Sequence, residues 1–225
     1  ARTDARIRVH RRPHLGLAAA RNFALDVAVG RYVAIADADD VYQPQRLAEQ
    51  VAFMESHPDV GVCGSAAELF GTESGTRRFP DDDARIRALM LFEPPFVDPS
   101  TMMRRDMLAR AGLRYDASFE IAADYDLWVR AADCTRFANL PRVLVRYRQH
   151  AGQLTSSRER MQRETDRVRL AQLRRLSIAP TEAETALHAR LARWDTEFAR
   201  PAVEEAERWL DRLRVANAAT GAFPE

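Results

Sequence analysis

Apolar positions along this chain change their period several times, and each change predicts an element. In residues 14–30, HLGLAAARNFALDVAVG, the residues Leu17, Ala20, Ala24 and Ala28 form a small-residue stripe suited to close packing on a sheet. Gly30 stands where such a helix would stop. Tyr32–Ala36 has no polar alternation and reads as a strand covered on both faces. Pro44 then starts a helix with Leu47, Val51 and Met54 expected inward, followed by a short strand, VGVCGSA. Residues 71–83 carry turn formers and charges without a period and predict a mobile loop. A helix over ARIRALMLF, an irregular lead into a strand at PPFVDPSTMMRR, and a helix RDMLARAGL closed by Gly112 come next. DYDLWVRAAD predicts a helix with Leu127, Trp128 and Ala131 on its apolar side, and RVLVRYRQH alternates as a strand. Ile7 and Val9 suggest a strand near the start. Helix and strand alternate throughout, which is the signature of an α/β layer.

From Thr155 the composition shifts to Arg, Glu, Ala and Leu. Thr181 and Glu184 have the spacing of a capping box, before a helix whose stripe is Leu187, Leu191, Trp194 and Phe198. Pro201 suits a first helical position, with Val203, Ala206, Leu210 and Leu213 continuing the pattern. Two regions are expected: residues 1–154 as an α/β domain and 155–225 as a helical extension of two or three helices.

Composition narrows the function classes. No apolar run approaches the roughly 18–20 residues needed to cross a bilayer, so no transmembrane segment is expected and the default setting is cytoplasmic. A net charge of +1 gives no global field for nucleic acid. All 34 basic residues are Arg, which excludes P-loop and Schiff-base chemistry because both need lysine. Cys63 and Cys134 read as reduced core thiols.

The candidate chemistry lies in RYVAIADADDVYQPQRL, where a buried strand runs into Asp37, Asp39 and Asp40 with no base among them. In extended backbone, residues i and i+2 share a face, so Asp37 and Asp39 could converge just past the strand end, where open α/β sheets bind ligands. Two carboxylates about 4 Å apart repel by roughly 4 kcal/mol at an effective dielectric near 20. A divalent cation turns that into attraction, and Mg²⁺ or Mn²⁺ suits oxygen ligands. The competing reading is helix capping or a solvated turn. An EF-hand is excluded because Val41 and no Gly follows. A haloacid-dehalogenase-type phosphatase shares the D-x-D after a strand; the later lysine it usually has is absent, an Arg could substitute, and a metal-dependent phosphatase stays as an alternative.

The blocks HLGLAAARN, GRYVAIADADDVYQPQRLAEQVAFM, AADYDLWVR and VLVRYRQH occur in this order. Together they resemble glycosyltransferase family 2, inverting nucleotide-sugar transferases with the Rossmann-like GT-A fold, over roughly residues 7–157. The helical tail is similar to one that follows this domain in some bacterial members. The resemblance implies a UDP-, GDP- or dTDP-linked sugar donor, a glycan or lipid-linked acceptor and a divalent metal. It also implies a place in cell-envelope polysaccharide synthesis, with peripheral membrane association at the inner face.

It places the D-x-D motif on Asp37 and Asp39, with Asp39 the direct metal ligand and Asp37 near the ribose or metal. Arg21 and Asn22 match the family's ARN and would lie near the nucleotide; an ion pair with Asp37 is the alternative for Arg21. Asp124 matches the general base, with an N-cap as the alternative. His150 would reach the metal and Arg148 the diphosphate. Asp126 reads as a first-turn helix acid and Trp128 as core. The family's opening PxYN-like and DDGS-like stretches are absent, so an N-terminally truncated GT-A domain is expected, and with it the alternative of a non-catalytic fragment acting through its helical tail.

Overall fold

The computed structural model describes residues 4–154, 157–193 and 200–223, with helix α8 read from 200 onward. Trp194 and Phe198, expected in a helical stripe, fall outside the described residues. The elements are α1 (Leu17–Val27), β1 (Tyr32–Ala34), β2 (Val41–Tyr42), α2 (Arg46–Ser56), β3 (Val60–Gly71), β4 (Gly75–Arg77) and α3 (Asp83–Leu89). They continue with β5 (Met102–Arg104), α4 (Arg105–Arg110), α5 (Ala123–Ala131), β6 (Arg136–Gln149), α6 (Arg158–Arg175), α7 (Glu182–Ala192) and α8 (Arg200–Thr220).

One mixed sheet organises them, in the order β1-β5-β3-β6-β2, with β4 paired to β3. The long strands β3 and β6 run parallel, whereas β5 is antiparallel to both β1 and β3, and β2 antiparallel to β6. β3 is buried over most of its length because α helices cover both faces, so its apolar run needs no alternation. The main core gathers Val62, Met103, Phe96, Trp128 and Phe137, with α5 contributing six buried residues. Trp128 is fully buried, as expected of core.

Several sequence expectations shift. Ile7 and Val9 are not in a strand; both are exposed. α1 ends on Ala28 in extended conformation, and Gly30 does not adopt the left-handed backbone of a helix stop. Residues 71–83 are not a featureless loop: Gly71 (φ 105°) and Gly75 (φ 147°) take backbone angles that favour glycine and return the chain as β4. Asp82 then caps α3 by accepting from the Arg85 N–H at 2.9 Å. Cys63 is buried and its thiol is pushed up to about 12 by burial, but Cys134 is exposed.

α2 differs most from its apolar pattern. Leu47 is 56% exposed, and the inward residues are Arg46, Gln50 and Met54. Arg46 donates from Nη2 to the carbonyls of Ile35 (2.9 Å) and Thr101 (3.1 Å). Gln50 donates to the carbonyls of Cys63 (2.9 Å) and Ser100 (2.8 Å). These polar pins satisfy carbonyls where β1, β3 and the turn before β5 converge, because a buried C=O without a partner is costly. They fix the backbone from which the acidic loop departs.

The tail forms a second core of Leu173, Leu176, Ile178, Trp209, Leu213 and Phe223, joined by Leu91 and Phe92 from the α3 side. On α8 the inward residues are Ala206, Trp209 and Leu213, while Leu210 is exposed. Trp209 Nε1 donates to His188 Nδ1 (3.1 Å), and His188 Nε2 donates to the Leu91 carbonyl (2.8 Å). The Thr181–Glu184 capping box forms as expected. Among the described residues, no helix is long and apolar enough to cross a membrane.

Candidate active site

The acidic loop leaves β1 and bends at once. Ile35 donates its N–H to the Thr101 carbonyl (3.0 Å), and Asp40 N–H reaches back to the Asp37 carbonyl (3.4 Å). Tyr42 braces the bend: its Oη accepts from the Asp37 N–H at 2.6 Å and donates to the Asp37 carbonyl at 3.1 Å. Because residues 38–40 form a turn, the shared-face rule for extended backbone does not apply to Asp37 and Asp39. Their carboxylates have separate partners, Arg21 for Asp37 (3.5 Å) and His150 for Asp39 (3.0 Å).

Strand pairing brings the far end of β6 to this loop. Val41 faces Arg146 and Tyr42 faces Val145 in antiparallel register, so Arg148 and His150 fall opposite the aspartates. The Arg148 N–H donates to Asp40 Oδ1 (2.8 Å), and its Nε donates to the Asp39 carbonyl (2.7 Å). The His150 hydrogen bond holds the Asp39 carboxyl below its usual range. Burial pushes Asp40 up to about 6, with the charges of Asp39 and Asp37 adding to the shift. Asp40 Oδ2 is buried without a partner.

Can these groups hold a divalent ion? Among the described residues no three His, Cys, Asp or Glu side chains form a ready-made metal cluster. The donor set nevertheless fits one. Asp39 and His150 offer an oxygen and a nitrogen within 3.0 Å of each other, both about 40% exposed. The charges of Asp39 and Asp37 add to the rise that burial imposes on Asp40, and a cation would relieve that added repulsion. Two protein ligands leave the remaining positions to phosphate oxygens and water, the usual arrangement for Mg²⁺ at substrate phosphates.

A second cluster lies deeper. Arg21, on α1, is paired with Asp98, which opens the short turn Asp98–Ser100 before β5. Both side chains are about 10% exposed. Burial works against the Arg21 charge, yet Asp98, Tyr115, Asp124 and Asp37 around it raise its pKa above the ordinary guanidinium value. Burial raises Asp98, Asp37 adds to that, and Arg21 opposes it. Asp98 Oδ1 and the Tyr115 hydroxyl are buried without partners. Arg21 also sits 5.4 Å from the centre of the Tyr115 ring.

Asp124 belongs to this cluster. It is the second residue of α5, and Ala122 occupies the N-cap, so the capping reading of Asp124 does not hold. Burial pushes its carboxyl up to about 7; Asp98 adds to the shift, and Arg21 opposes it. Asp124 still keeps partial solvent access. A carboxyl with partial access that titrates near neutrality can take a proton from a hydroxyl. Asp126 pairs with Arg130 one turn on, as a first-turn acid.

Asn22 is engaged with backbone: Nδ2 donates to the Tyr115 carbonyl (2.8 Å) and Oδ1 accepts from the Tyr115 N–H (2.9 Å). It ties α1 to the segment leading to α5. Sequence reasoning missed Asp98, Tyr115 and Tyr42. Asp98 carried a signal, an acid inside the apolar stretch PPFVDPSTMM; Tyr115 carried none.

Comparison with known proteins bears on these residues. The model of the family described as glycosyl transferase family 2 matches residues 1–112, the first half of the chain. An uncharacterized glycosyltransferase, MJ1057 of Methanocaldococcus jannaschii, is 33% identical over 141 residues, covering 60% of this chain and 48% of that protein. The amylovoran biosynthesis glycosyltransferase AmsE of Erwinia amylovora is 33% identical over 138 residues, covering 60% of this chain and 51% of its own length. The chain thus spans about half the length of the curated relatives it matches. Among solved structures, S. aureus TarS 1–349 in complex with UDP-GlcNAc superposes with a TM-score of 0.54 at 18% identity. The match covers 91% of this chain and 62% of that one. The fold is of the GT-A type.

Proposed function

This chain belongs to glycosyltransferase family 2, and from that premise we propose that it transfers a sugar from a nucleotide-diphosphate donor to an acceptor hydroxyl with inversion. The observation that carries the reading is Asp124, a carboxyl at the start of α5 held near neutral pKa beside the Arg21–Asp98 pair. Inversion needs one base on the face opposite the leaving group. Asp124 accepts the acceptor's hydroxyl proton as that oxygen bonds to the anomeric carbon. The bond from that carbon to the diphosphate oxygen breaks, and the diphosphate keeps the electron pair.

Arg21 and Arg148 contribute positive charge where the diphosphate would lie, and Asn22 positions the segment behind Arg21 and Asp124. Asp39 and His150 would hold a divalent ion, Mn²⁺ or Mg²⁺, with Asp37 beside them. When bound, that ion supplies charge neutralisation to the departing diphosphate. Support for the donor class comes from the TarS complex with UDP-GlcNAc, and for a polysaccharide product from AmsE in amylovoran synthesis. A cytoplasmic setting at the inner face of the membrane, with a glycan or lipid-linked acceptor, completes the proposal.

The test is sugar transfer by the full-length protein from a panel of UDP-, GDP- and dTDP-sugars with Mn²⁺. Asp124→Asn is expected to lower kcat by about 10²–10⁴-fold, the usual contribution of a positioned base. Asp39→Asn is expected to raise the half-saturating Mn²⁺ concentration by about tenfold or more. Wild-type turnover in Asp124→Asn overturns the assignment of the base.

A further inference from the structure

We propose that Glu164, on the helical tail, is a positioning residue for the reaction because it anchors the backbone that leads into α5. This rests on the reading of Asp124 as the base. α5 begins behind Ala122, and the backbone N–H groups of residues 120–122 that lead into it point away from the helix ladder and need an acceptor from elsewhere. Glu164 provides it from one turn and a half into α6. Its Oε2 accepts from the N–H groups of Glu120 (3.1 Å), Ile121 (2.8 Å) and Ala122 (2.9 Å). Its Oε1 accepts from Glu120 as well, at 3.2 Å. Three successive N–H groups converging on one carboxylate form an anion nest, and the helix dipole favours a negative charge there.

The grip is broader than one residue. Arg160, Glu164 and Arg167 recur at helical spacing on α6 and all reach the same segment. Arg160 pairs with Glu120. Arg167 donates to Ser118 Oγ (2.9 Å) and lies 4.0 Å from the centre of the Phe119 ring. On the other side, Asn22 and the Arg114–Asp26 pair bind the start of this segment to α1. The chain that delivers Asp124 is thus clamped between α1, which carries Arg21, and α6. The tail is part of the catalytic geometry, and a displacement of about 1 Å at a reacting group costs on the order of 10²-fold in rate.

The experiment compares Glu164→Ala, Glu164→Gln and Leu173→Ala in the full-length protein. Leu173 lies in the tail core, in a cluster that holds no residue of α5, so it reports general loosening of the tail. Each variant is assayed for kcat and donor KM well below its Tm, and for amide hydrogen exchange over residues 120–125. Glu164→Ala is expected to lower kcat about tenfold with donor KM within about twofold, and to speed exchange over 120–125. Glu164→Gln keeps an acceptor oxygen and is expected to recover kcat to within about threefold of wild type. Leu173→Ala is expected to lower Tm and leave kcat within about twofold. The proposal is overturned if Glu164→Ala keeps wild-type kcat or unchanged exchange, or if Leu173→Ala lowers kcat as much as Glu164→Ala. Failure of the base assignment shows separately, as wild-type turnover in Asp124→Asn, while the exchange measurement reports the Glu164 anchor whatever Asp124 does.

Discussion

The molecule holds two groups of aspartates that differ in every property except residue type. Asp37, Asp39 and Asp40 lie on a half-exposed loop close to one another, with Arg21 and Arg148 only at its edges. Asp98 and Asp124 are enclosed around the Arg21 guanidinium, which offsets part of the cost of their burial. The first group is open to solvent, where a cation could approach; the second is built around a buried one. Holding a cation and accepting a proton are opposite demands on a carboxylate, and the two groups differ in solvent access in the way those demands differ.

The largest expected effect that would break this comparison concerns the buried group. Arg21→Met leaves Asp98 enclosed without its ion-pair partner and is expected to cost about 3–5 kcal/mol of stability in urea unfolding. Adding Asp98→Asn to it should return most of that loss. A cost below about 1 kcal/mol for the single variant would mean that Arg21 does not hold the cluster together.

A smaller effect sharpens the loop side. Asp40 binds its proton more tightly folded than unfolded, so the folded state loses stability as pH rises from about 4 to about 6. The penalty is present in full above that window and absent below it. Asp40→Asn keeps an oxygen for the Arg148 N–H and cannot ionise. It is expected to stabilise the protein by about 1 kcal/mol at pH 8, after allowance for solvent screening, and by nothing at pH 4. Equal stabilisation at both pH values would remove the charge crowding from the account.

The two groups were also unequally legible. The loop announced itself because like charges directly after an apolar strand contradict burial unless something binds them. Its detailed shape was not legible, since the turn at 38–40 depends on Tyr42 and on the register of β2 with β6. The buried cluster joins residues 21, 98, 115 and 124, which only the sheet order brings together, and periodicity carries no information on that. α2 failed for a related reason: its inward Arg46 and Gln50 serve backbone carbonyls, so a polar residue marked the core and Leu47 the surface. Glu164 was invisible because its partners are main-chain N–H groups 42–44 residues away.

The most direct test is the pH dependence of kcat/KM from about pH 5 to about pH 9 for wild type and for the residual activity of Asp124→Asn. With Asp124 as the base, wild type loses activity about tenfold per pH unit below a midpoint near 7, and the variant has no such limb. The same acid limb in both proteins would contradict the account, because some other group would then be taking the proton.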